Sequence, residues 1–125
     1  MPTDSSSTLI FIARLLIGGA FIFAGLRNAT NITALTGLMA GRGVPQVRAV
    51  LLAGIVLQIV AGALLITGPW IAIAAAGLIL FVATATPIFH NFWDHQGLDR
   101  GNRINGIVSN VAWVGGLLLI IATAP

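Results

Sequence analysis

From Pro69 to His90 the chain reads PWIAIAAAGLILFVATATPIFH, 22 residues without an Asp, Glu, Lys or Arg among them. A bilayer's hydrocarbon core is about 30 Å thick, and a helix needs roughly 20 apolar residues to cross it. Backbone N–H and C=O groups find no water in lipid and must be satisfied within the segment, which makes the stretch a helix. A transmembrane β-barrel would need an alternation of polar residues that is missing here. Three further segments have the same character, at about 9–29, 49–67 and 104–123. With 69–90 they predict an all-α fold, a transmembrane four-helix bundle forming one membrane domain over 1–125.

Composition agrees with that reading. Hydrophobic residues make up 58% of the 125 positions and charged residues 7%, all of them Arg or Asp. An average soluble domain carries about a quarter charged residues. The absence of cysteine excludes disulfides, thiolate zinc sites, Cys-ligated iron–sulfur clusters and thiol redox chemistry in this chain. The absence of lysine excludes a Schiff base and a P-loop. Most of the arginines flank apolar runs, which argues for membrane topology and against a nucleic-acid partner.

The links carry the orientation. Arg27, Arg42 and Arg48 border the first link, Arg100 and Arg103 the third, and the Gly68-Pro69 turn has no charge. Positive residues stay on the cytoplasmic side, so both long links are expected inside and both termini outside the cytoplasm of a bacterial inner membrane. The leader Met1–Thr8 carries Asp4 and no positive charge, and the apolar run after it is too long for a signal peptide; the first span is expected to be retained. Within the first link, Ile32–Ala40 reads as a short interfacial helix. Pro69 is placed to open the third span.

Polar groups inside spans are costly in lipid, so each needs a reason. Arg14 shares a face with Gly18 and Gly25; it either snorkels to the outer headgroups or turns inward. Gln58 lies mid-span between Gly54 and Gly62, where a neighbouring helix can approach closely. It is either interhelical glue or a ligand contact, and on both readings it faces the bundle. On the fourth span Asn102, Asn105, Ser109 and Trp113 fall on one continuous face, with Asn110 beside it. That face reads as a wet vestibule or head-group site, or as packing.

The densest chemistry closes the third span. Pro87 removes a backbone hydrogen bond and is expected to kink the helix, and Thr84 and Thr86 are placed to resatisfy freed carbonyls. Phe92 and Trp93 read as an aromatic belt. His90 reads as an interfacial histidine, or as a group able to hydrogen-bond a quinone carbonyl. An Arg27–Asp94 pair beside His90 is geometrically plausible. His95 is the other histidine, and no motif completes a metal or haem coordination set, so haem is not expected.

Taken in order, these features resemble the DoxX family. The resemblance rests on Arg14-Leu-Leu-Ile-Gly-Gly-Ala-Phe-Ile-Phe-Ala-Gly25-Leu-Arg27, Gly43-Val-Pro45, Gln58-Ile-Val-Ala-Gly62-Ala-Leu-Leu-Ile-Thr-Gly68, His90-Asn-Phe-Trp93 and Gly115-Gly116-Leu-Leu-Leu. It runs from about Leu9 to Ile121. It implies a four-helix membrane bundle, and the family takes its name from a small subunit of a thiosulfate:quinone oxidoreductase. Some members are linked to membrane redox and oxidative-stress complexes. The residues matching its motifs are Arg14, Arg27, Gln58 and His90. Family members usually carry Glu where this chain has Gln58; hydrogen bonding survives that exchange and proton release does not.

The functional expectation is an accessory subunit of a quinone-linked redox complex, with a quinone or lipid head-group pocket. Candidate ligand-binding residues are His90, Gln58, Arg14, Arg27, Asn105, Ser109 and Trp93. Expected partners are membrane lipids and either a larger membrane protein complex or further copies of the chain. The alternative is a structural subunit that binds a larger complex through its small-residue faces. A carrier or channel is hard to build from four short helices without ionisable residues at a midplane site.

Overall fold

The computed structural model describes residues 5–125. Asp4, on which the charge reading of the leader rests, lies outside the described residues. Helices α1 (Ser5–Ala29), α3 (Val47–Thr67), α4 (Ile71–Phe89) and α5 (Gly97–Thr123) form the bundle. Each is long and apolar enough to cross a membrane. The short helix α2 (Ile32–Gly41) lies in the first link, over the interfacial piece read from sequence. Among the described residues there is no strand.

Helix starts differ from the sequence reading: α1 begins at Ser5 rather than near residue 9, and α3 at Val47 rather than near 49. The last helix begins at Gly97 rather than near residue 104. Asp99 sits in its first turn, where a negative charge suits the helix dipole, and its carboxylate meets His95 at 2.8 Å and Arg103 at 3.4 Å. These pairs carry the helix outward through a polar stretch that hydropathy alone leaves as a link. The third span begins at Ile71, not at Pro69. The reversal is made by Gly68 at φ 112° and Trp70 at φ 59°, so Pro69 sits between two left-handed residues, inside the turn.

The helix pairs that pack are α1 with α3, α3 with α4 and α4 with α5, while α1 and α5 touch only sparsely. The tightest crossing is between backbones. A Cβ placed on Gly18 would lie 2.5 Å from the Gly62 carbonyl oxygen, and one on Gly62 would lie 2.7 Å from that of Gly18. In lipid, where helices gain nothing from hydrophobic burial against each other, such contact supplies dispersion energy that bulkier residues would prevent. A core of Leu65, Ala75, Leu78 and Leu117 fills the half of the bundle nearest the Gly68 turn. A second cluster of Met39, Leu51 and Ile55 seats α2 at the arginine-rich end.

Helix α4 runs through Pro87 to Phe89 without interruption. The expected repair by threonine takes another form. Thr84 Oγ1 donates to the Leu80 carbonyl at 2.8 Å and Thr86 Oγ1 to that of Val82 at 2.6 Å. Both are bonds to the residue four back. The carbonyl that Pro87 leaves free is that of Ala83, three residues before Thr86, whose hydroxyl donates to Val82 instead.

The α1–α3 crossing gives the first prediction. Gly62→Val should lower the thermal midpoint in mild detergent, reflecting an overpacking cost of about 1–3 kcal/mol. Gly19→Ala, at a position with open space around its Cβ, should leave the midpoint in place or raise it slightly. Equal midpoints for Gly62→Val and the parent chain would remove the crossing as a determinant of the fold.

Candidate functional site

Between the two core clusters lies a cavity of about 300 Å³. Its polar lining is Asn28 from the end of α1, Gln58 from α3, His90 from the end of α4, and Asn110 and Trp113 from α5. Phe21, Leu35, Phe81, Val82 and Phe89 supply apolar walls. The ring of Phe21 meets that of Trp113 edge-on at 5.4 Å and closes part of the loosely packed seam between α1 and α5.

Gln58 is 3% exposed, and its Oε1 accepts a hydrogen bond from Asn28 Nδ2 at 3.0 Å. The amide therefore faces the bundle and ties α3 to α1. On α5, Asn110 Nδ2 donates to Thr86 Oγ1 at 2.9 Å and ties that helix to α4. His90 ends α4, its backbone N–H bonded to the Thr86 carbonyl. Its imidazole rests on Gly106, where a Cβ would collide with the ring. The missing side chain on α5 is what gives the histidine its place.

These bonds use only part of each group's capacity. Among the described residues, no protein acceptor receives the Gln58 Nε2 hydrogens or the Trp113 indole N–H, and no protein group bonds the His90 imidazole. The Oδ1 atoms of Asn28 and Asn110 likewise accept no bond from the protein. The cavity thus offers donors from α3 and α5, acceptors from α1 and α5, and an imidazole able to do either. His90 is the sole titratable side chain in its lining.

The remaining residues singled out from sequence lie elsewhere. Arg14 is near the Gly68 turn, at the opposite end from His90. Its Nε donates to the Leu65 carbonyl at 2.7 Å and its Nη2 to that of Ile66 at 3.3 Å, capping the last turn of α3. Of its two readings, the inward one describes its place, and there it serves α3 rather than the cavity. Arg27 is exposed at the end of α1. Asn105 and Ser109 are exposed on α5, Ser109 in a shallow crevice with Trp113 and Ile17 of α1. Of the face read from sequence, Trp113 alone lines the cavity; the inward face of α5 runs through Arg103, Gly106, Asn110 and Trp113. Trp93 is 54% exposed, with the Arg42 guanidinium 5.8 Å from its ring centre.

The expected Arg27–Asp94 pair is replaced by Arg42–Asp94, at 3.0 Å. The chain folds back along α2, so its far end, and not the end of α1, meets the 3₁₀ turn Phe92–Asp94 that follows α4. Asn91, buried beside it, donates from Nδ2 to Asp94 at 3.0 Å and accepts from Arg103 Nη1 at 2.9 Å. Arg103 Nη1 also donates to the Phe89 carbonyl at 2.9 Å. The network fixes the end of α4, and with it His90.

Asn28 was not legible as a site residue, because the charge of Arg27 marked the end of α1 more strongly. Its position three residues after Gly25, on the face that packs against α3, was the available signal. For Asn110 the signal was Gly106 one turn before it.

A family model described as DoxX matches residues 9–91. The chain belongs to the DoxX family. The matched part holds α1 to α4 with Arg14, Arg27, Gln58 and His90, while the α5 wall of the cavity lies beyond it. This DoxX chain is also similar to the inner membrane protein YphA of Escherichia coli (strain K12). The identity is 26% over 117 residues, covering 94% of this chain and 84% of that protein. No solved structure matches. With family, hydropathy and fold in agreement, the DoxX chain is an integral membrane protein whose apolar faces meet lipid.

Arg14 provides a test that separates stability from the cavity. Hydrogen bonds from a charged donor contribute about 1.5–3 kcal/mol, so Arg14→Ala should lower the thermal midpoint in detergent distinctly. Arg27→Ala, which removes an exposed side chain, should leave it unchanged. A neutral Arg14→Ala would mean that the α3 carbonyls are satisfied equally well by water.

Proposed function

We propose that this chain is an accessory subunit of a quinone-linked redox complex in the bacterial inner membrane, and that it seats the quinone head group between His90 and Gln58. The observation carrying this reading is the set of unspent donors and acceptors around one uncharged cavity. A quinone ring presents a carbonyl acceptor at each of two opposite edges. Donors standing on different helices, Gln58 Nε2 on α3, Trp113 Nε1 on α5 and the His90 imidazole at the end of α4, suit such a molecule. Flat apolar walls from Phe81 and Phe89 suit its ring.

The quinone, when bound, supplies the two-electron chemistry. The protein's own part is to bind, orient and exclude water. Gln58 is held by Asn28, so its amide hydrogens are already aimed before a ligand arrives, which lowers the ordering cost of binding. His90 can hold a proton at either ring nitrogen and offer it to a carbonyl oxygen. Gln58 cannot release one, so proton exchange at this site falls to His90 alone. The chain has neither Cys nor Tyr, and the electrons are assigned to a partner subunit in the same membrane. The arginine-rich end, with His90, is assigned to the cytoplasmic side, and both termini to the other.

Equilibrium binding of a short-chain benzoquinone to the purified protein tests the reading. Gln58→Leu and His90→Ala should each weaken binding about tenfold or more, the scale of one polar ligand atom left unpaired. Asn105→Ala and Ser109→Ala, both exposed on α5, should bind as the parent does. Unchanged affinity in both Gln58→Leu and His90→Ala would sink the pocket.

A further inference from the structure

A second crevice, of about 230 Å³, opens between α3 and α4 on the same half of the bundle. Its rim is formed by Val50 and Ala53 of α3 and by Leu80 and Thr84 of α4, all exposed on the outer surface. Its floor is formed by Leu51, Ile55 and Gln58, all buried. Gly54 makes room for the Phe81 ring; a Cβ there would stand 3.2 Å from it. The crevice and the polar cavity share a wall, to which Asn28, Leu35, Gln58, Phe81, Ala85 and Phe89 all contribute.

The two spaces differ in chemistry. In the crevice the polar lining is Asn28, Gln58 and Thr84, the first two belonging to the shared wall and the third already bonded to the Leu80 carbonyl. Beyond the shared wall it therefore offers nothing to a polar ligand. Its mouth lies on the apolar flank of two membrane helices, where a hydrocarbon chain is the solvent. On the other side of Phe81 stand the unspent donors and acceptors of the cavity.

We infer that the ligand is an amphiphile held through the wall: its small uncharged head lies against Gln58 and His90, and its hydrocarbon chain passes Phe81 and leaves between α3 and α4. The inference rests on the proposed quinone site and names the class of quinone it takes, one carrying a long hydrocarbon chain. A chain moving from lipid into this crevice exchanges one apolar surrounding for another, so it gains little from burial. Its role is positional. A head anchored in the cavity needs an exit for its chain, and blocking the exit penalises ligands that have a chain and spares those that lack one.

The test uses the full chain in lipid nanodiscs with Trp70→Phe and Trp93→Phe, which leaves Trp113 in the cavity wall as the fluorescent reporter. Quenching is titrated with a tail-less benzoquinone and with one carrying a long isoprenoid chain, concentrations being referred to the bilayer. Ala53→Phe on α3 and Thr84→Phe on α4 each place bulk at the rim, away from the residues of the polar cavity. Each should weaken the long-chain ligand about tenfold or more and leave the tail-less one within about twofold. If both plugs leave the long-chain affinity unchanged, the chain exits elsewhere and the inference falls while the head-group site stands. An equal loss for both ligands in both variants also overturns it. Absence of quenching by either ligand in the unplugged protein overturns this inference and the quinone site together.

Discussion

Helix α1 is fastened to α3 at three levels, and the arrangement of everything else depends on that seam. At one end Arg14 satisfies the last carbonyls of α3; at the next level Gly18 and Gly62 bring the two backbones into contact; near the other end Asn28 bonds the buried amide of Gln58. Each fastening answers a demand that lipid imposes. Carbonyls at a helix end, a polar amide at mid-depth and a guanidinium within a span are all expensive without partners there. The fold meets these demands by pairing them with one another across a single helix interface.

Helix α1 makes most of its packed contacts with α3. Helix α5 is held by α4 through Asn110 and Thr86 and through Arg103 and the end of α4, and it meets α1 mainly at Phe21 and Trp113. The helices thus pack in the order α1, α3, α4, α5, with a loose seam where α1 and α5 meet. The cavity lies where that seam widens toward the arginine-rich end, with α2 and its Leu35 lying across it. The positions of Gln58 and His90 in its lining are set by the bond to Asn28 and by the network at the end of α4.

The helices and their number were legible in the sequence because bilayer thickness sets a length that apolar runs either reach or fail to reach. Gln58 was legible for a similar reason, since an amide at mid-span has nowhere to go but inward. The inward face of α5 was harder. Asn105 is polar, yet toward the end of a span a polar side chain can face outward at little cost, and Ser109 lies at the loose α1–α5 seam beside Trp113. The better marker was an absence, Gly106, whose lack of a side chain admits His90. A gap becomes informative only when the group that fills it is known. The Arg42–Asp94 pair was hidden differently, because reading it requires knowing that α2 doubles back, which is a matter of tertiary path and not of residue type.

Gln58, an amide where the family resemblance implies a carboxylate, bears on how the proposed site divides its labour. A glutamate at this position, accepting from Asn28, would have brought a charge or a tightly held proton into a cavity with no cation in its lining. The amide keeps the bond to Asn28 and adds two outward donors without that cost. It also leaves His90 as the one lining group that can change its protonation, at the end of the cavity nearest the polar network of Asn91, Asp94 and Arg103. On the proposed function, orientation and proton handling fall to separate residues on separate helices. The first is fixed by the α1–α3 seam, and the second is set by how Arg103 holds the end of α4.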